Sequence, residues 1–144
     1  MDEQDIEFLI CDISVLWRRA FSLNTKEIGI STIERRIILN VDRRPGATQI
    51  EIANLIDIEP QNLTKPLDRL IAHQLLEKRL DGSDRRVKRL YITKNCIPII
   101  KKICNIAEDL RPMVMAGISE KDKKALLKNI SAMKDSLEAI CLKK

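Results

Sequence analysis

The sequence is short of the side chains on which most catalytic and metal sites depend. Its 144 residues include one His, four Cys and only 3% aromatic residues. The cysteines lie far apart, and no two of them have the CxxC spacing of a zinc or redox site. No Ser/His/Asp, Cys/His or Gly-rich phosphate-binding motif occurs in a suitable context. We therefore expect no metal site, no cofactor and no enzymatic activity.

Long apolar runs are missing as well. No stretch approaches 18 uncharged apolar residues, and the acidic N-terminus MDEQD lacks a signal-peptide pattern. These absences predict a cytoplasmic chain that enters no membrane, with its cysteines present as buried thiols. The hydrophobic fraction of 44% is enough for a core, which must consist of Ile, Leu, Val and Met because aromatics are scarce. The length fits one domain, or one domain with an assembly element.

Positive charge is concentrated in one segment. The net charge of +5 is a mild indication of anionic partners. Residues 76–94 hold seven basic and three acidic side chains, whereas residues 1–30 hold three basic and six acidic ones. The distribution of charge is therefore more informative than its total.

Apolar residues recur at helical spacing through most of the chain and change to a strand pattern near its middle. Two capping boxes, S-T-I-E and T-Q-I-E, mark helix starts. In order, the predicted segments are a helix over 4–23, a helix from Ser31, a short helix from Thr48, a helix from Pro60 to about His73, strands at 76–80 and 87–93, a long helix that Pro112 kinks or ends, and a last helix capped by Ser119. We predict a mainly α fold with a small β-hairpin.

Two helices joined by a short turn and followed by a basic hairpin are the layout of a winged helix-turn-helix. In this arrangement the second helix presents its exposed N-terminal residues to the DNA major groove. Asn and Gln can read adenine, Lys can read guanine or touch phosphate, and Thr can contact the thymine methyl group. The residues expected on this recognition helix are Gln61, Asn62, Thr64 and Lys65, with Arg69 one turn later, and those expected at phosphate are Thr48 and Gln49.

The hairpin carries cations at and just after a tight turn, DGSDRR. Arg85 and Arg86 at its tip can reach a minor groove, because narrow A·T-rich grooves attract arginine. Asp84 is expected to pair with the Arg86 side chain and fix its direction. The arms would add phosphate contacts through Lys78, Arg79, Lys88 and Arg89. Taken alone, the same charges could be a solvated edge that prevents strand aggregation.

Three segments, PGATQIEIANLI, NLTKPLDRLIAHQLLEKR and DGSDRRVKRLYIT, together resemble the MarR family of transcriptional regulators, nearest to its SlyA-like members. The resemblance covers nearly the whole chain. It implies a homodimer that binds palindromic A·T-rich operators and commonly releases DNA when an aromatic acid or an oxidant acts. By motif match, Arg86 is the minor-groove arginine and Asp84 its partner.

The sequence departs from the family pattern in two places. Pro66 falls inside the recognition helix, where it removes one backbone hydrogen bond and can shift the bases that Lys65 and Arg69 reach. The oxidant-sensing branch of the family uses a first-helix cysteine with nearby tyrosines. Cys11 lies in that helix about one turn later, and the only tyrosine is Tyr91 in the hairpin. Redox sensing by Cys11 is therefore the less favoured hypothesis.

The resemblance also implies how the chain is divided. Residues 1–30 and 95–144 would form a helical dimerisation region, and residues 31–94 the DNA-binding domain. The last helix carries an apolar stripe with a,d-like spacing, which favours a partner helix, although a partner within the chain would explain it too. The residues expected at the dimer interface are Ile6, Ile13, Leu126, Ile130, Met133 and Leu137.

The sequence thus predicts a homodimeric regulator that binds double-stranded DNA and responds to an effector such as a small aromatic acid. The alternative is a winged-helix module for protein–protein interaction without specific DNA binding, since fold does not fix function. An RNA-binding role would require stacking aromatics near the basic surface, and Tyr91 alone is available there.

Overall fold

The computed structural model describes residues 5–141, except for the side chain of Lys26. Its elements are α1 (Asp5–Asn24), a 3₁₀ helix (Lys26–Ile28), α2 (Thr32–Arg43), α3 (Gln49–Leu55), α4 (Pro60–Ala72), β1 (Leu76–Leu80), β2 (Lys88–Ile92), a second 3₁₀ helix (Lys94–Cys96), α5 (Ile97–Val114) and α6 (Glu120–Cys141). The mainly α fold with a small hairpin is confirmed. Most helix and strand ends lie within a residue or two of their predicted positions.

Both predicted capping boxes are formed. The Ser31 hydroxyl accepts a hydrogen bond from the Glu34 amide at 3.2 Å, while the Glu34 carboxylate accepts one from the Ser31 amide at 2.7 Å. Thr48 and Glu51 make the same reciprocal pair at 3.3 and 2.6 Å. Each pair satisfies amides that the first helical turn leaves without partners, so α2 and α3 begin at defined residues.

The connection between α3 and α4 is tight. Asp57 adopts a left-handed conformation with φ of 52°, which Asp tolerates better than most side chains. The Ile58 amide donates to the Ala53 carbonyl at 3.1 Å, and Ile58 packs against the core. Arg36 of α2 donates to the carbonyl of Ile56. Pro60 then begins α4, where its missing N–H costs nothing.

A single apolar cluster holds α2, α3, α4 and the hairpin together. Its members are Ile37, Ile38, Val41, Ala47, Ile52, Ala53, Ile56, Leu63, Leu67, Leu70, Leu76, Leu90 and Cys96. The cluster contains no aromatic residue, as predicted, but also no methionine. Burying one Leu or Ile side chain contributes about 1.5–3 kcal/mol, so this cluster is the main source of stability for the helix-turn-helix.

The hairpin, called the wing below, comprises residues 76–92, with β1 and β2 paired from Leu76 opposite Ile92 to Leu80 opposite Lys88. It is fixed to the turn between α2 and α3 by two backbone hydrogen bonds. The Gly46 amide donates to the Leu90 carbonyl at 2.9 Å, and the Leu90 amide donates to the Ala47 carbonyl at 3.0 Å. Gly46 has φ of 86°, and a Cβ there would lie 3.0 Å from the Tyr91 hydroxyl oxygen. Glycine therefore suits this position for its conformation and for its size.

The chain divides into two compact units, one ending at Ala107 and one beginning at Glu108. The helix α5 continues two residues past Pro112 before it ends at Val114. The helix α6 has no buried residue along its described length. Within residues 5–141, no helix is long and apolar enough to cross a membrane. The predicted division into residues 31–94 and two flanking regions stays a prediction.

Candidate nucleic-acid interface

The helix α4 has one buried and one exposed face. Leu63, Leu67 and Leu70 follow helical spacing and are 0–1% exposed. The predicted recognition residues Gln61, Asn62, Thr64 and Lys65 are all exposed on the same helix. Pro66 lies inside the helix, which continues through it to Ala72. The first turns of α4 therefore expose polar side chains, and among the predicted recognition residues there only Lys65 is charged.

The start of α3 is hydrogen-bonded to this surface. The Gln49 side-chain amide donates to the Pro60 carbonyl at 3.3 Å and to the Thr64 hydroxyl oxygen at 3.1 Å. Since the Thr64 oxygen accepts this bond, its own proton is available for an external acceptor. Thr48 is the N-cap of α3, and its hydroxyl accepts from the Glu51 amide. The phosphate contacts predicted for Thr48 and Gln49 stay predictions, but both residues already position α3 or α4.

Arg69 differs from the other predicted recognition residues. Its guanidinium lies 3.4 Å from the carboxylate of Glu34 on α2, and the Glu34 side chain is only 3% exposed. The sequence could not indicate this partner, because Glu34 comes near Arg69 only after α2 and α4 pack. A cavity of about 260 Å³ lies beside this ion pair and is also bordered by His73 and Ile99.

The cations of the wing fall into two groups. In the first, Lys78 lies 3.6 Å from Asp68, and Arg79 bonds Glu77 at 2.8 Å while its guanidinium stacks 4.3 Å from the Tyr91 ring centroid. Arg89 also belongs here, because it bonds the Asp81 carboxylate and the Gly46 carbonyl. The second group consists of Arg85, Arg86 and Lys88, which are exposed and have no ion-pair partner among the described residues.

These contacts bear on two expectations about the wing. The guanidinium of Arg89 bonds Asp81 and the Gly46 carbonyl, and its expected contact with phosphate stays a prediction. Asp84 was expected to pair with the Arg86 side chain, whereas its carboxylate accepts from the Arg86 backbone amide at 2.9 Å. A carboxylate two residues ahead of an amide in a turn reaches that amide more easily than the end of a long side chain. The Arg86 guanidinium is therefore free of Asp84.

Asp81 is the residue of this region that sequence reasoning missed. One oxygen of its carboxylate accepts from the Ser83 amide at 2.8 Å, the Ser83 hydroxyl at 2.7 Å and the Asp84 amide at 3.3 Å. The other oxygen accepts from Arg89. The Ser83 hydrogen bonds, then those from Arg89 and Asp84, hold the pKa of Asp81 well below its ordinary value. The Asp-Gly-Ser spacing is typical of a turn closed by an aspartate and was the available signal.

The cysteines only partly match the expectation of buried thiols. Cys96 is fully buried, and burial, followed by the nearby charge of Asp42, raises its pKa to about 11. Cys11, Cys104 and Cys141 are exposed in the single chain, because their helices have faces that this chain does not cover. Within the described residues, no group of three or more His, Cys, Asp or Glu side chains could hold a metal ion. A redox role for Cys11 stays a prediction.

The residues predicted for dimerisation lie on α1 and α6. Ile6, Ile13, Leu126, Ile130, Met133 and Leu137 are all at least 37% exposed in the single chain. Further large apolar side chains are exposed on the same helices, among them Phe8 on α1 and Leu127 on α6. On each of these two helices, so many exposed apolar side chains are unusual for a surface that faces only water.

Residues 28–87, from the first 3₁₀ helix to the end of the wing turn, match the sequence model of the MarR family. In this segment the chain is therefore similar to members of the MarR family. Members of this family are transcriptional regulators and not enzymes, in line with the prediction for this chain.

Solved structures share the MarR-family fold along most of the chain. The transcriptional regulator PA3341 is 26% identical, with a TM-score of 0.81 over 93% of this chain and 98% of that one. A MarR transcriptional regulator from Methanosarcina mazei Go1 is 17% identical, with a TM-score of 0.80 over 93% and 99%. Wild-type MarR from E. coli is 16% identical, with a TM-score of 0.79 over 88% and 95%. At 17% and 16% identity, the last two structures show only that the fold is shared.

Proposed function

We propose that this chain is a transcriptional regulator that binds double-stranded DNA sequence-specifically, as a homodimer on a palindromic A·T-rich operator, and that an effector controls its binding. The observation that carries the proposal is the combination of two exposed surfaces. One is the polar face of α4 at Gln61, Asn62, Thr64 and Lys65, and the other is the group of wing cations Arg85, Arg86 and Lys88. Within the MarR family we place the chain nearest to the SlyA-like members.

The two surfaces suit the two grooves of DNA. Amide side chains such as those of Gln61 and Asn62 can make paired hydrogen bonds to adenine in a major groove. The Thr64 hydroxyl has a proton to donate, because its oxygen already accepts from Gln49. Arg85 and Arg86 on the wing are suited to a narrow minor groove, and Lys88 to phosphate. Arg85, Arg86 and Lys88 make no ion pair with another described residue, so they can bind DNA without breaking one.

Homodimerisation is supported by the apolar faces of α1 and α6. On α6, Leu126, Ile130, Met133 and Leu137 are spaced by four, three and four residues and are 37–57% exposed. A second copy would cover this stripe, and a twofold dimer would present two α4 helices to successive major grooves about 34 Å apart. A palindromic operator is the corresponding DNA symmetry.

Control by an effector is supported by the cavity of about 260 Å³ beside Glu34 and Arg69. Arg69 belongs to α4, so a ligand that changes its contact with Glu34 would act directly on the proposed recognition helix. A small aromatic acid fits this environment, because its carboxylate could bond the Arg69 guanidinium and its ring could contact Ile99 and Leu70.

The experiment is selection of a duplex from a random library, followed by binding measurements over a salt series. We expect a palindromic A·T-rich sequence to be enriched and Arg86→Ala to weaken its binding by about 1–3 kcal/mol. Arg111→Ala is the matched control, because Arg111 is an exposed cation on α5, outside the helix-turn-helix and the wing.

The contradicting result is equally specific. If no sequence is enriched, and Arg86→Ala binds DNA like the parent and like Arg111→Ala, the wing is a solvated turn. The interaction-module hypothesis would then be preferred.

A further inference from the structure

Arg89 connects two parts of the chain that are far apart in sequence. Its Nε donates to the Asp81 carboxylate, and its Nη1 donates to the Gly46 carbonyl at 2.8 Å. The Arg89 side chain is 39% exposed and that of Asp81 only 12%. We call this arrangement of Asp81, Arg89 and Gly46 the clip. Two of the guanidinium nitrogens of Arg89 are therefore already used for contacts within the protein.

Asp81 holds the other end of the clip and also organises the wing tip, residues 81–87. Its second carboxylate oxygen accepts hydrogen bonds from the Ser83 amide, the Ser83 hydroxyl and the Asp84 amide. The turn is closed by the Asp81 amide, which donates to the Val87 carbonyl at 2.9 Å, and by the Val87 amide, which donates to the Asp84 carbonyl at 3.0 Å. Arg85 and Arg86 lie between these bonds, so the direction of their backbone depends on Asp81.

Gly46 places the clip next to the helix-turn-helix. It immediately precedes the Ala47–Thr48 segment, in which Ala47 pairs with Leu90 and Thr48 caps α3. The segment lies alongside β2 and forms an isolated antiparallel bridge between Thr48 and Arg89. The start of α3 is in turn bonded to α4 through Gln49. Residues 46–49 are therefore hydrogen-bonded to the wing at one end and to the recognition helix at the other.

We propose that Asp81, acting through Arg89 and the Gly46 carbonyl, fixes the wing tip against the start of α3 and so orients Arg85 and Arg86 for DNA. Asp81 is then a positioning residue that strengthens DNA binding although its charge opposes it. The inference rests on the proposed function, since orientation of the wing matters only if the wing binds DNA.

Asp81→Asn is the direct test, because a purely electrostatic effect and the loss of the clip change DNA affinity in opposite directions. Removing a negative charge from a DNA-binding surface strengthens binding if only electrostatics counts. The clip predicts binding about tenfold weaker, as expected when one charge-assisted hydrogen bond is removed. It also predicts a shallower salt dependence. The slope of the logarithm of the binding constant against the logarithm of the salt concentration should fall in magnitude by about 0.9 for each phosphate that the wing no longer neutralises. A role in overall stability alone would not change that slope.

Glu59→Gln is the matched control. Glu59 is exposed at the N-cap of α4 and makes no side-chain capping hydrogen bond. It lies next to the proposed recognition residues, so its removal takes away the same charge from the same surface without disturbing the clip. We expect Glu59→Gln to bind the selected duplex as tightly as the parent or more tightly.

Arg89→Lys provides a second, independent variant that keeps the charge. Lysine lacks the planar fork of arginine and cannot hold a carboxylate and a carbonyl in the same geometry. We expect a loss of affinity similar to that of Asp81→Asn, and a double variant that binds no more weakly than either single one. If Asp81→Asn does not fold at the assay temperature, Arg89→Lys decides the question.

Hydrogen exchange of the backbone amides at residues 81–87 gives a readout that needs no DNA. The clip predicts faster exchange in Asp81→Asn than in the parent or in Glu59→Gln. The proposal is overturned if exchange is unchanged, or if Asp81→Asn and Arg89→Lys bind DNA at least as tightly as the parent. Failure of the proposed function would look different, because the parent itself would then show no selective DNA binding.

Discussion

The helices α4 and α6 carry similar apolar stripes, but the stripe of α4 is buried and that of α6 is exposed. Leu63, Leu67 and Leu70 of α4 are 0–1% exposed, whereas Leu126 and Ile130 of α6 are 37% and 53% exposed. Spacing alone does not distinguish them, because both follow the three- and four-residue steps of an amphipathic helix. The difference is that α2, α3 and the wing cover α4, whereas this chain buries no described residue of α6. An apolar stripe therefore predicts burial but not the partner that provides it.

The largest effect is expected from placing charge on the stripe of α6. The double variant Ile130→Asp, Leu137→Asp would bury two carboxylates from each copy in a dimer interface, so we expect a monomer. A monomer engages one half-site only, so operator binding should weaken by about a hundredfold or more. Sedimentation and duplex binding measure the two effects. Ser131→Asp, on the other side of α6, should remain dimeric, and a double variant that also remains dimeric would contradict the account.

A smaller effect is expected from truncating the stripe of α4. Leu67→Ala should lower the free energy of unfolding by about 2–5 kcal/mol, because it opens a cavity among fully buried neighbours. Leu127→Ala on α6 is the comparison, since Leu127 is 70% exposed. Chemical denaturation measures both. Equal losses of stability for the two variants would contradict the account, because Leu67 is buried within the chain and Leu127 is not.

The smallest effect concerns the capping box that begins α3. Removing the Thr48 hydroxyl by Thr48→Ala should lower the free energy of unfolding by about 1 kcal/mol. Hydrogen bonding to the Thr48 backbone, and then to the Thr48 side chain, lowers the pKa of Glu51 in the folded protein. A carboxyl group with a lowered folded pKa stabilises the fold above its unfolded pKa and loses that contribution as pH falls through the folded value.

Glu51→Gln measures this pH dependence. We expect the variant to be less stable than the parent near neutral pH, and the two stabilities to converge as the solution is acidified below the ordinary carboxylate range. Denaturation at a series of pH values is the measurement. A difference that is constant with pH would mean that the ionised carboxylate is not what holds the box together.

The elements of the fold were predictable because their signals are local. S-T-I-E and T-Q-I-E formed capping boxes as written, and Pro60 began α4. The pairing of the cations was not predictable, since it depends on packing. Arg69 bonds Glu34 on another helix, and Arg89 bonds Gly46, which is 43 residues away. The exposed cysteines were mispredicted for the same reason, because a helical apolar pattern does not reveal which face the chain covers.

The central claim is that α6 pairs two copies so that two α4 helices read one operator. It is tested most directly by comparing the selected palindrome with a duplex in which the same half-sites are about five base pairs, or half a helical turn, further apart. The inserted spacing turns the second half-site to the opposite face of the DNA. The account predicts that affinity falls by about a hundredfold, toward that of one half-site. Equal affinity for the two duplexes would contradict it.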